Sequence, residues 1–345
     1  MRRTLLTVPV AGLFAATALA ACGSDSSSAD DGSIDIVAGF YPLAFAAEQV
    51  GGDHVDVANL TPAGQEPHDL ELAPSDIAAI EEADYVIYLE GFIPELDAAI
   101  AEYASDKALE VGATVDLLGY DDTEALEDEH AEDEHAEDEH AEDEHAEDEH
   151  AEDEHAEDEG EEGHDHDEGL EGNDPHLWLD PIRYAQIGEA IADGLSGLDE
   201  ANADDYAAGA DDLTAELENL DQEFTEGLAN RTSDDIVTSH AAFGYLADRY
   251  DLHQVAISGL SPDQEPSSQR MAEIAAFIEE HGVSTIFFET LVSSDIADTI
   301  AAETGARTAV LNPIEGLTDD DGDDADYFSI MRENLGTLQE ALGAA

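Results

Sequence analysis

Between residues 121 and 171 the chain carries about 30 of its 88 acidic residues and no Lys or Arg. Inside this stretch the unit Glu-Asp-Glu-His-Ala repeats six times without error over residues 127–156. A looser His-Asp-His run follows at His164 and His166. Uncompensated carboxylates repel one another and bury nothing apolar, so the stretch cannot join a core and reads as a mobile insert. Its period of five also denies it a fixed site. On a helix, successive histidines would turn by roughly 140° and spiral around the axis. On a strand they would alternate faces. Whatever folds must therefore be built from the two flanks and closed around the insert.

The N-terminus points outside the cytoplasm. Arg2 and Arg3 precede an apolar, Ala-rich run over residues 5–20, shorter than the roughly 20 residues of a membrane span. It reads as a signal peptide, residues 1–21, ending in Leu19-Ala20-Ala21-Cys22-Gly23. That ending is similar to a bacterial lipobox, in which Cys22 would be the first mature residue and carry the lipid. Cys22 is the only cysteine, so no internal disulfide is available. Residues 22–32 are Ser, Asp, Ala and Gly in the main and suit a flexible tether. The balance of 88 acidic to 9 basic residues argues against nucleic-acid binding, which needs cations to neutralise phosphates. It favours attraction to cations.

Both flanks alternate strand-like and helix-like runs. In the first, strands are expected over 34–37, 55–60, 85–89 and 114–118, with helices over 42–50, 74–83 and 94–103. After the insert, a helix over 181–195 leads to a proline-free stretch, 199–228. There Tyr206, Leu213, Leu217, Leu220, Phe224 and Leu228 recur at three- and four-residue steps, the stripe of one long helix. The second flank predicts strands over 236–238, 254–257, 285–288 and 308–311, and helices over 243–250, 268–281, 295–303 and 326–342. The fold class is α/β: two parallel-sheet domains, 33–198 and 231–345, joined by a linking helix over 199–230. Ligands of such sheets bind beyond the carboxyl ends of the strands, here between the domains.

Three histidines stand at loops or strand ends. His68 lies in a loop after the second strand, His176 in Asp174-Pro175-His176-Leu177-Trp178-Leu179-Asp180-Pro181, and His240 just past the strand 236–238. Three imidazoles and a carboxylate suit Zn²⁺, whereas an oxygen-dominated set suits manganese or calcium. Asp69 and Asp180 are placed to accept a ligand histidine's second N–H, as is a backbone carbonyl. His54, His253 and His281 read as solvated or helix-terminal residues.

Four motifs resemble the zinc-binding, ZnuA-type substrate-binding proteins of bacterial ABC importers. They are Gly64-Gln65-Glu66-Pro67-His68, Asp174-Pro175-His176-Leu177-Trp178-Leu179, Ser239-His240-Ala241-Ala242-Phe243-Gly244-Tyr245-Leu246 and Leu311-Asn312-Pro313-Ile314-Glu315-Gly316-Leu317. The resemblance spans nearly all of the chain after the tether, including an acidic, His-rich insert between the first two histidines. It implies His68, His176 and His240 as metal ligands. It prefers Glu315 as the fourth, with Glu289 as rival ligand or as a residue orienting one. It implies two α/β domains bridged by a long helix and zinc as the transported ligand. It also implies an ABC permease as partner and a monomer held outside the cell membrane by the lipid on Cys22. The insert histidines His130, His135, His140, His145, His150, His155, His164 and His166 would collect zinc and raise its concentration near the cleft. Alternatives are a manganese-binding member of the family, whose relatives tend to have Glu at the position of His240, or a surface metal buffer or adhesin. A zinc hydrolase is disfavoured, because there is neither a His-Glu-x-x-His helix nor a nucleophile elbow.

Overall fold

Each half of the chain turns its alternation into a four-stranded parallel sheet. The computed structural model describes residues 33–120, 172–318, 321–322 and 324–344. In the first half β1 (Ile34–Ala38), β2 (Val55–Asn59), β3 (Tyr85–Tyr88) and β4 (Ala108–Glu110) lie in the order β2-β1-β3-β4. In the second, β5 (Asp235–Thr238), β6 (His253–Ala256), β7 (Thr285–Phe288) and β8 (Arg307–Val310) repeat that order as β6-β5-β7-β8. Ile36, Val86, Ile87, Ile236 and Val237 are buried, as expected of central strands covered on both faces. Helices α1 (Tyr41–Gly51), α2 (Pro74–Glu82) and α3 (Pro94–Tyr103) connect the first sheet, and α6 (Gly244–Tyr250), α7 (Ser268–His281) and α8 (Asp295–Thr304) the second. The expected parallel α/β architecture holds.

One strand is not where the sequence pattern put it. The run 114–118 looks more β-like than its neighbours, yet β4 is Ala108–Glu110, placed beside β3 directly after α3. Val111 N then donates to Tyr88 O at 3.0 Å, and Gly112–Thr114 turns as a 3₁₀ helix, carrying the chain off the sheet edge. The run pairs at its far end instead. Gly119 forms an antiparallel bridge with Asn173, Asp174 N donates to Leu118 O at 2.9 Å, and Leu118 N donates to Tyr245 Oη at 3.0 Å. The two ends of the insert are thus held side by side.

Between the halves run α4 (Pro181–Leu198) and α5 (Ala203–Leu228). The 26 residues of α5 span about 39 Å at 1.5 Å per residue. Its buried stripe is Tyr206, Ala210, Leu213, Leu217, Leu220, Phe224 and Leu228. Acidic residues fill the opposite face, so packing rather than local propensity holds the helix. Gly209 marks where α5 crosses the end of α1, since a Cβ there would stand 2.5 Å from Val50 O. The last helix, α9 (Tyr327–Leu342), lies against α5 and reaches back to the first half. Its Tyr327 ring packs on Tyr184 and Phe45, and Tyr327 Oη donates to Trp178 O at 2.7 Å. Among the described residues no helix is long and apolar enough to cross a membrane.

Candidate metal centre

The sheet order places a topological switch beside β1 in one half and beside β5 in the other, and the site is built on both. His240 stands two residues past β5, and Glu289 follows β7 directly. Phe40 and Phe92, beyond β1 and β3, supply an aromatic wall, with Phe92 in edge contact with His68 at 4.4 Å between centroids. His68 comes from the loop between β2 and α2. His176 immediately precedes a 3₁₀ turn, Leu177–Leu179, that leads into α4. Glu315 lies in the loop between β8 and α9.

That last loop is tightly pinned. Asn312 N donates to Asn334 Oδ1 at 2.8 Å and Asn334 Nδ2 returns a bond to Asn312 O at 2.7 Å. Asn312 Oδ1 accepts from Ile314 N, and Trp178 Nε1 donates to Pro313 O at 2.7 Å. Ile314 is buried with φ at 60°, a left-handed conformation that a β-branched residue adopts only when its surroundings impose it. The strain sits one residue before Glu315 and aims its carboxylate inward. Gly64 N donates to Leu317 O at 2.7 Å, tying this loop to the one carrying His68.

Nε2 of His68, His176 and His240 and one oxygen of Glu315 lie within 4.8 Å of one another. Glu315 Oε1 is 3.1 Å from His176 Nε2, 3.5 Å from His240 Nε2 and 3.6 Å from His68 Nε2. The Nε2 atoms of His176 and His240 are 3.3 Å apart. Four donors held tetrahedrally at zinc–nitrogen bond lengths stand about 3.3 Å from one another.

The hydrogen bonding around the set fits a cation at its middle. Nδ1 of His176 donates to Asp174 Oδ1 at 2.7 Å, and Nδ1 of His240 faces Glu289 Oε2 at 2.7 Å. Asp174 is itself held by the His176 backbone N–H, and Glu289 by the His240 N–H and the Ser239 hydroxyl. With Nδ1 of each ring turned to a carboxylate, the two Nε2 atoms face each other and Glu315. His68 Nε2 and Glu315 Oε2 are buried without hydrogen-bond partners. Acceptors converging without a donor repel unless a proton or a metal ion sits among them.

The charges follow. Burial pushes His68 below the usual imidazole range. Burial also opposes charge on His176 and His240. Asp174 and Glu315 nonetheless hold His176 above its ordinary value, and Glu289 and Glu315 hold His240 well above. Glu315 stays far below the carboxylate range despite burial, because three imidazoles face it. Glu66, which no sequence argument singled out, is pushed up to about 9 by burial and by the Glu315 charge.

Asp69 and Asp180 do not take the orienting role expected of them. Asp180 caps α4 through Ile182 N and Arg183 N and pairs with the Arg183 guanidinium. Asp69 faces Asp263, which raises it to about 6. The carboxylates that face the histidine rings are Asp174 and Glu289. The first was missed, although a short acceptor two residues before a histidine, with Pro between, can bond both its backbone and its ring. The second, named from its strand-end position as a rival ligand or a residue orienting one, is brought to His240 by β7. His54 bonds Asp205, and His253 and His281 share Asp235. Cys22 and the insert histidines from His130 to His166 lie outside the described residues.

Over residues 36–341 the chain matches the family described as zinc-uptake complex component A, periplasmic (ZnuA). It is 36% identical over 344 residues to the high-affinity zinc uptake system protein ZnuA of Bacillus subtilis, covering 96% of this chain and 97% of that protein. It is 34% identical over 342 residues to the zinc-binding lipoprotein AdcA of Streptococcus pneumoniae. That match covers 98% of this chain, which spans only 60% of AdcA's length. A crystal structure of Zn(II)-bound AdcA from Streptococcus pneumoniae shares the fold with a TM-score of 0.68 and 31% identity, over 90% of this chain and 58% of that one. The chain belongs to the ZnuA family of zinc-uptake component A proteins.

Proposed function

We propose that this protein binds zinc outside the cytoplasmic membrane through His68, His176, His240 and Glu315 and delivers it to the permease of an ABC importer. The observation that carries this reading is the convergence of three imidazole lone pairs on Glu315 Oε1 at 3.1–3.6 Å. Three nitrogens favour zinc over manganese. Glu315 is the fourth ligand in this reading, because Glu289 faces the far nitrogen of His240. Four protein donors leave no position for an activated water, so the site suits capture rather than hydrolysis. Zinc closes the cleft by joining His68 and His176 of the first domain to His240 and Glu315 of the second. Cys22 carries a lipid that holds the monomer at the membrane, and the insert histidines gather zinc near the cleft.

One tight zinc site is expected to survive deletion of residues 121–171. The Gly119–Asn173 bridge leaves the ends of the insert within about 5 Å of each other, so a short turn can close the gap. Calorimetric titration of that protein should give one tight zinc per chain; loss of tight binding with the insert would sink the cleft assignment. Substituting Glu289→Gln should weaken the site by about 10–100-fold, as losing a carboxylate that orients a ligand does. Glu315→Gln should weaken it more, and the reverse order in a competition titration would make Glu289 the ligand.

A further inference from the structure

The four donors come from both halves of the chain, so whatever joins the halves beside them bears on how long an ion stays. One short ribbon touches both sides. Residues 118–120 and 172–174 face each other across the Gly119–Asn173 bridge, with Tyr120 N donating to Gly172 O at 2.6 Å and Asp174 N to Leu118 O at 2.9 Å. On one side the ribbon ends in Asp174, which lies 2.7 Å from His176 Nδ1 and accepts from His176 N. On the other it meets the segment that carries His240. Leu118 N donates to Tyr245 Oη at 3.0 Å, and Tyr245 is fully buried on α6, just past His240. The Tyr120 ring packs on Ala241, Ala256 and Leu260. Ala241 N donates to Gly259 O at 2.9 Å, and a Cβ at Gly259 would stand 3.6 Å from Tyr120 Oη. Arg183 of α4 closes the rear. Its guanidinium lies 5.1 Å from the Tyr245 ring centroid, and its Nε donates to Asp116 O at 3.1 Å, just before the ribbon.

We propose that Tyr245 and Tyr120 are positioning residues that hold the His240 segment against the His176 side once zinc has entered, and so set the rate at which the ion leaves. The inference rests on the zinc-centre reading above, in which the ion joins ligands of the two halves. Neither tyrosine is one of the four donors. Each contact spans the halves, so it forms when they meet around the ion and must break before the ion can go. A contact made only in the loaded, closed state adds to affinity, whereas one made equally with and without metal cancels from it. The effect of the two tyrosines therefore belongs to the rate of loss and not to the rate of arrival.

The protein carries its own reporter. Trp178 is the only tryptophan, is buried, and its ring lies 5.4 Å from that of His176. Full-length protein is mixed rapidly with zinc chloride and Trp178 fluorescence is followed; loss is then followed after mixing with excess chelator. Tyr245→Phe, which removes only the hydroxyl, should speed loss about tenfold, the scale of one hydrogen bond whose donor is left without its acceptor, and keep arrival within about twofold of wild type. Tyr120→Ala should speed loss as well, through lost packing, and carries the test if the phenylalanine variant does not fold. In both, the rise in melting temperature on adding zinc should shrink while the metal-free melting temperature stays near that of wild type. An unchanged rate of loss in Tyr245→Phe overturns the proposal. So does a melting temperature lowered equally with and without zinc, the result expected of a residue that serves the fold alone. His240→Ala separates the two readings. If it keeps the wild-type fluorescence response, the zinc centre itself is wrong; if it abolishes the response while Tyr245→Phe loses zinc at the wild-type rate, only the positioning role fails.

Discussion

Replacing His240 by alanine is expected to weaken zinc binding by more than about a hundredfold, beyond the loss caused by removing an orienting carboxylate. His281→Ala should leave binding within about twofold of wild type, as for a surface residue remote from the donors. Each turns a ring nitrogen to a carboxylate, Glu289 for His240 and Asp235 for His281. The difference lies in the other nitrogen. His240 is fully buried, and its Nε2 faces Glu315 Oε1 and His176 Nε2 at 3.5 and 3.3 Å. His281 is bonded to Asp235 at 3.2 Å, and its side chain is 42% exposed. Removing His240 takes one of four donors and leaves Glu289 buried without its imidazole, an uncompensated charge that also loosens the second half's contribution to the site. The comparison is best made by competition with a chromogenic chelator in protein lacking residues 121–171, where the insert histidines do not contribute. Equal losses for the two variants would mean that the donor set is wrongly assigned.

Much of this was legible because the informative residues are local. Pro74, Pro94 and Pro181 each open a helix where the sequence placed one, since proline's fixed φ and missing N–H suit a first turn. The stripe from Tyr206 to Leu228 predicts α5 nearly residue for residue. Strand ends marked where His68 and His240 would stand. What was not legible depends on pairing between distant segments. The short β4 is selected by the edge of β3 rather than by its own composition. Glu289 was named only as a rival ligand or an orienting residue, and the choice between the two came from the pairing of β7 with β5, which sets it against His240. Glu66 acquires its place from Glu315, about 250 residues away along the chain. Asp69 and Asp180, each next to a suggestive motif, were drawn by local needs of their own: a facing carboxyl group and a helix cap.

Zinc binding near pH 7 is expected to release protons from His176 and His240, so that affinity rises with pH around neutrality. The reason is the state of the metal-free centre. His176 is held above its usual range and His240 well above it. Burial, the largest single influence, works against their charge, but the neighbouring carboxylates outweigh it. Each proton occupies the Nε2 lone pair that zinc requires, because Nδ1 already faces Asp174 or Glu289. His68, lowered by burial, brings no proton to displace, and Glu315, held far below its ordinary range, is already ionised. The sign is the same for stability without metal. The raised imidazoles contribute stability that is fully present below about pH 6.5, their ordinary value, and is lost as pH rises through their folded values. The depressed Glu315 contributes above the ordinary carboxylate range and loses that contribution only as pH falls through its lowered value. The metal-free protein therefore loses stability over the pH range in which zinc binding strengthens, and the rise in melting temperature on adding zinc should grow with pH. Titration calorimetry in buffers of different ionisation enthalpy counts the protons directly. A count near zero at pH 7, or an affinity flat between pH 6 and 8, would show that the metal does not take the Nε2 positions of His176 and His240.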